Sequence, residues 1–301
     1  MKSKHHSKGV IYVIISTLMF ASYGVWSRFL GDLGFGIFFQ GWTRALLMIA
    51  ILLPVLIKRK ELIVIAKRDW KWLVVFLVFT SGTQVPLYYA FNHMDIGTTS
   101  LLFFVTMLIT MYVVGVIFLN EKMSWVKGIA FLLACFGLYF VFSFSMTKFA
   151  LLAALAAVLN GVASGGEVSF SKKLSGSYSP LYLVILSQAI IAITHFPFSH
   201  LFQEVQYVPE FNMTWLYMVA YAIAGVLGFG LLIAGLKYLE SSVGGLLGLL
   251  EIVFSVSFGI LFFSELLTLR IIIGGLIIML AAALPHIVEF RFVEKWLKTL
   301  T

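Results

Sequence analysis

SVGGLLGLLEIVFSVSFGILFFSE, residues Ser242–Glu265, decides the fold. As a helix rising 1.5 Å per residue it crosses a hydrocarbon core of roughly 30 Å. It carries one carboxylate, Glu251, near its middle. An ionised side chain at that depth costs several kcal/mol unless it faces protein or water, so a chain that keeps one has a use for it.

Runs of this kind fill the rest of the chain. At 61% hydrophobic and 11% charged residues, with a mean hydropathy of +1.03, a water-soluble globule is excluded. Ten apolar spans are expected, at 10–30, 37–57, 72–94, 98–119, 127–145, 149–170, 180–200, 213–236, 243–263 and 270–288, with no room for a soluble domain between them. A membrane barrel would show short alternating segments rather than solid apolar runs. The fold class is therefore an all-α polytopic membrane protein.

The net charge of +8 does not mark a nucleic-acid binder, because of how it is distributed. Of the 21 Lys and Arg, all but Arg28, Lys148, Arg270 and the intramembrane Arg44 fall on the side of the N-terminus. The positive-inside rule then puts both termini in the cytoplasm. The chain reads as an integral protein of a bacterial or archaeal plasma membrane, and MKSKHHSKG with the run behind it as a retained signal anchor. The single cysteine, Cys135, lies in the fifth span and reads as packing.

A shift of 144 residues sets Ala90 on Ala234, Ala45 on Ala189, Arg28 on Lys172, Thr98 on Ser242 and Glu121 on Glu265. The two halves, 1–146 and 147–301, are thus copies of five spans each. An odd number of crossings inverts the second copy relative to the first. The expected architecture is ten transmembrane helices in two five-helix inverted-topology repeats. This is the plan of secondary transporters, with a solute held between the copies near mid-depth.

LLEIVFSVSFGILFFSELLT (249–268) resembles the ninth helix of EamA-type proteins of the drug/metabolite transporter superfamily. Ala234, Leu236 and Tyr238 match that family's ending of the eighth helix, and Tyr89-Ala90-Phe91 with Asn120-Glu121-Lys122 echo the pattern in the first half. Arg44 stands where the family's second helix often has Arg. Ile252 and Leu108 occupy positions usually held by Pro, and Phe20 one usually held by Trp. The resemblance covers nearly the whole chain and implies a metabolite transporter of ten helices.

Residues three and four apart share a helix face. One face carries Asn160, Ser164, Glu167 and Ser171, and its counterpart Ser16, Phe20, Tyr23 and Ser27, with Trp26 beside it. Others carry Ser81, Gln84, Tyr88 and Asn92; Tyr221, Gly225 and Gly228; Gly244, Gly248, Glu251 and Ser255; and Thr99, Phe103, Thr106 and Thr110. These six faces are expected around one central cavity. Gly244 and Gly248 read more readily as a small-residue packing seam, and His195 as a packed or water-exposed histidine. Glu251 is open between a partner for Arg44, a proton carrier and a solute contact. Glu167 stands near enough to its helix end to reach Lys172 or Lys173. Glu121 and Glu265 read as structural, as caps or hinge contacts.

No H-E-x-x-H, P-loop or G-x-G-x-x-G occurs, so nothing in the sequence asks for a metal, a nucleotide or any other cofactor. The expected function is secondary transport by alternating access, as exporter or exchanger of a small polar or amphipathic metabolite such as an amino acid. Arg44 suits a carboxylate, Glu251 or Glu167 an ammonium or a coupling proton, and Tyr23, Trp26, Tyr88 or Tyr221 an apolar or cationic part. The partners are a small-molecule solute, protons and the bilayer. The rival is an intramembrane enzyme on a lipid-linked substrate, with Glu167, His195 and Glu251 as acid and base.

Overall fold

The computed structural model describes residues 2–118, 125–141, 148–236, 238, 247–248 and 250–298. Glu121 and Gly244, on which two of the sequence readings fall, lie outside them, as does the side chain of Cys135. The described residues form no strand. Twelve α-helices follow in chain order: α1 (Lys2–Ala21), α2 (Tyr23–Asp32), α3 (Ile37–Lys58), α4 (Trp70–Ser81), α5 (Gln84–His93), α6 (Ile96–Phe118), α7 (Trp125–Val141), α8 (Lys148–Leu174), α9 (Pro180–Leu201), α10 (Met213–Leu236), α11 (Leu250–Phe263) and α12 (Leu269–Lys298).

Seven helical stretches among these are long and apolar enough to cross a membrane, and α11 and the start of α12 add shorter apolar helices. With α7, every expected span has its helix. Large apolar side chains turned outward, such as Ile193 at 67% exposure and Val78 at 65%, suit a hydrocarbon surround rather than water. The protein is an integral membrane protein.

Two spans are broken where one helix was expected. Between α1 and α2, the Ser22 hydroxyl donates to the Met19 carbonyl and accepts from Trp26 Nε1, which draws the backbone out of its regular ladder. Between α4 and α5 the chain turns at Gly82–Thr83, and Asn160 Nδ2 of α8 donates to the Thr83 carbonyl that the break exposes. Ser81 therefore leaves the face of Gln84, Tyr88 and Asn92, and its hydroxyl returns to the Val78 carbonyl.

The packing repeats the sequence symmetry. The first span (α1 and α2) lies along α10, and its counterpart α8 lies along α4 and α5. α1 meets α11 as α8 meets α6, and α3 meets α10 as α9 meets α4. The contacts α3 with α9, α6 with α11 and α7 with α12 each join a helix to its own counterpart. Exchanging the halves maps these pairs onto one another, whereas α2 with α5, α3 with α5 and α6 with α12 have no equal counterpart among the described residues. Each half crosses five times, so the two-fold axis relating them lies in the membrane plane.

The tightest seam is α8 on α6. A Cβ at Gly161 would run into Thr106 and the Phe103 carbonyl, and one at Gly165 into Thr110 and the Met107 carbonyl. Small residues four apart let the backbones approach, as helices in lipid require. Thr106 and Thr110 accordingly return their hydroxyls to their own helix, at Leu102 and Thr106, and serve packing rather than a cavity. Gly248, expected in such a seam, has nothing within 4 Å of the position a Cβ would take.

At the face opposite the N-terminus, called distal below, two carboxylates tie the halves together. Glu265 Oε1 pairs with Arg28 Nη1 at 2.6 Å and accepts from the Ile96 N–H at 2.8 Å. It thus caps α6 rather than the helix that follows it. Glu204 accepts from the N–H groups of Phe38 and Phe39 and caps α3 in the same way.

Burial pushes the Glu204 carboxyl above its ordinary value, although the backbone bonds pull the other way. A group raised in the fold favours the fold most at low pH and loses that advantage as pH rises through the folded value. Wild-type protein should therefore gain melting temperature relative to Glu204→Gln on acidification from neutrality toward about pH 5. The effect is small, because Glu204 is partly exposed, but its sign is fixed. A wild type that loses ground on acidification would show the two N–H bonds to be the stronger influence.

Candidate functional site

Five of the sequence-expected residues meet in one box. Arg44 of α3, at 1% exposure, donates from Nη2 to Gln84 Oε1 at 2.7 Å. The Tyr88 hydroxyl donates to the same oxygen. The guanidinium carbon lies 4.7 Å from the ring centre of Tyr23 and 4.8 Å from that of Tyr221, within cation–π range of both. Tyr221 meets Tyr23 and Tyr88 edge-on, at 5.0 and 5.8 Å between ring centres. α2, α3, α5 and α10 each supply one wall.

Local sequence explains the placement. The break at Gly82–Thr83 makes Gln84 the first residue of α5, and four residues put Tyr88 on its face. The break at Ser22 likewise starts α2 on Tyr23. Gly225 of α10 leaves space that a Cβ would deny to the Tyr23 hydroxyl and Met48.

The box is incomplete electrostatically. Arg44 Nε and Nη1 have no protein partner, and neither have the hydroxyls of Tyr23 and Tyr221. Among the described residues the ion pairs are Arg28 with Glu265 and Arg68 with Asp69. Glu251 is therefore not the ion-pair partner of Arg44. It stands on α11 and is in no ion pair among the described residues. Glu167 of α8 is in no ion pair among the described residues either. It is not paired with Lys173, whose ammonium goes to the Phe118 carbonyl at 2.9 Å. The Lys172 side chain is outside the described residues.

The other expected residues flank the box. Trp26 lies against Tyr217, and Asn92 donates to the Tyr88 carbonyl beneath Gly31. Asn160 holds the α4–α5 break, and its Oδ1 has no protein partner. Ser164 and Glu167 follow on the same face of α8, half buried. Where an open cavity was expected the structure packs side chains: Tyr88 and Tyr221 are fully buried.

Depth also differs from expectation. Arg44 is seven residues into α3 from the distal face, roughly 11 Å by helical rise, so the box lies in the distal half rather than at mid-depth. It is roofed by Phe35, Phe39, Tyr207 and Trp215, with Phe35 and Tyr207 stacked at 4.4 Å. Glu167 lies deeper toward the N-terminal face. Along the membrane normal it and His195 of α9 differ by about 12 Å. An acid–base arrangement between those two has no geometry behind it.

Sequence reading takes His195 as a packed or water-exposed histidine and Gln188 as the neutral counterpart of Arg44, and it misses Gln40 and Thr43. All are buried, on α3 or α9. The available signal was the seven-residue spacing of Gln188 and His195, which sets both on one face of α9.

Similarity to known proteins agrees with this architecture. The chain matches the EamA-like transporter family over residues 7–143 and again over 151–285. It is 26% identical over 252 residues to the uncharacterized transporter YoaV of Bacillus subtilis (strain 168), covering 80% of this chain and 83% of that protein. A protein of known crystal structure superposes with a TM-score of 0.67 over 95% of this chain and 99% of its own, at 16% identity, which bears on the fold alone. A membrane protein built of two matched halves, each carrying the family pattern, is a member of that family: the chain belongs to the EamA-like transporters of the drug/metabolite transporter superfamily.

Proposed function

We propose that the protein exports or exchanges a small polar or amphipathic metabolite such as an amino acid, by alternating access, with halves 1–146 and 147–301 as the two rocking units. The observation that carries this is Arg44, a permanent cation buried between two tyrosine rings with two donors unpartnered. A solute carboxylate completes it. Gln84, Tyr88, Tyr23 and Tyr221 shape the rest of the contact, with Trp26 and Asn92 on its distal side. Asn160, Ser164, Glu167 and Glu251 line the approach from the N-terminal face, where Glu167 or Glu251 meets an ammonium group or a proton. The excess of Lys and Arg at that face makes it cytoplasmic, in a bacterial or archaeal plasma membrane.

The test is counterflow of labelled amino acids, amines, nucleosides and sugar phosphates in proteoliposomes. For the accepted solute, Glu251→Gln is expected to cut the rate about tenfold, the equivalent of one charged hydrogen bond of about 1.4 kcal/mol. An unchanged rate for every accepted solute removes Glu251 from the path. A solute recovered chemically altered would make the protein an enzyme instead.

A further inference from the structure

A second polar feature lies beside the box, in the seam between α3 and α9. On α9, Gln188, His195 and Ser199 stand in one row at spacings of seven and four, and all three are buried. Facing them is Gly41 of α3, where a Cβ would run into the imidazole of His195. Arg44 follows three residues on, on the same face of α3 as Gly41. Gln40 Oε1, Arg44 Nε and Nη1, Gln188 Oε1 and His195 Nε2 have no protein partner. His195 Nδ1, by contrast, is 3.0 Å from Thr194 Oγ1.

Buried polar groups are almost always hydrogen-bonded, and where protein does not supply the partner, water does. Five orphaned atoms on two packed helices make this seam wet. His195 is its proton-accepting group, since a guanidinium does not give up its proton. We propose that bound water fills the seam between α3 and α9, and that His195 binds a proton through it together with the solute carboxylate on Arg44. This rests on the transport reading above for the carboxylate, though not for the water or the proton.

The coupling is electrostatic. Imidazolium and guanidinium repel, and a carboxylate seated on Arg44 cancels that repulsion, so each ligand favours the other by the same factor. His195 Nε2 takes the proton from the water chain and returns it there, with no other bond made or broken. From α3 the charged group facing His195 is Arg44. α4, also packed on α9, brings only Lys71, at its opposite end, and α9 itself only the exposed His200.

Two measurements on the full chain test this. Hydroxyl-radical labelling, which marks side chains beside bound water, should modify His195 despite its burial; no label there overturns the wet seam. In nanodiscs with 15N-histidine, the His195 signal is assigned by its loss in His195→Gln, with the exposed His93 and His200 as controls. The His195 midpoint should lie lower in wild type than in Arg44→Gln, because a neighbouring guanidinium disfavours the imidazolium. Equal midpoints, or no His195 titration in Arg44→Gln, overturn the coupling. Failure of counterflow with every solute, with the midpoint still answering to Arg44, would instead sink the transport reading and leave the proton site standing.

Discussion

Arg44→Met should lower counterflow by at least about tenfold, while leaving the melting temperature unchanged or raised. The two halves of this result have one cause. An arginine buried without a carboxylate partner costs several kcal/mol of desolvation. The structure returns part of that through the bond to Gln84, about 1.5–3 kcal/mol for a charged donor. The two ring faces, Tyr23 and Tyr221, return up to about 2 kcal/mol each. Replacing an incompletely paired buried charge by an apolar side chain of similar length is often neutral or stabilising. Flux and thermal melting measured on one preparation decide the matter. Loss of folded protein along with flux would make Arg44 a structural pillar, and retained flux would remove it from the solute's path.

Glu265→Ala should give the largest loss of stability among the charged residues. Its carboxylate does two jobs with one oxygen, pairing with Arg28 and capping α6 at Ile96. Arg28 in turn donates from Nε to the Phe91 carbonyl and from Nη2 to the Met94 carbonyl, and lies over the Phe263 ring at 4.4 Å. Three spans of the first half and the ninth span are therefore fastened at a single point. At 9% and 15% side-chain exposure the pair is largely out of water. Breaking it leaves an uncompensated charge worth about 3–5 kcal/mol when fully buried, and less here. Glu265→Gln should cost less, since the amide oxygen still accepts from Ile96. Arg28→Lys should cost more than its charge suggests, because an ammonium cannot reproduce the three-way fork. The double variant Arg28→Ala with Glu265→Ala should melt well above the additive expectation, by a coupling of about 1–3 kcal/mol. Strict additivity would mean that the pair is not coupled in the membrane.

Several residues show how far local pattern reaches. Gln84, Tyr88 and Asn92 were legible as one face because four residues nearly complete a helical turn. Ser81 was not excluded from it, because the break at Gly82–Thr83 is held by Asn160, 77 residues away. Sequence spacing points to Gly244 and Gly248 as a packing seam, and not to Gly161 and Gly165, on which α8 meets α6. A small-residue stripe is a seam only where another backbone comes close, and Gly248 has none there. His195 reads from sequence as an ordinary packed histidine, and only the fold sets Gly41 of another helix against it.

By itself the sequence determined the ten spans, the two copies and the inversion. Bilayer thickness acts on each apolar run separately, and an odd count of crossings leaves the second copy no other orientation. Only the tertiary structure decided which charges meet. Arg28 and Glu265 are 237 residues apart and form the distal clamp, while Arg44 and Glu251 form no pair. Pairing depends on a few ångströms between helix axes, which no spacing along the chain records.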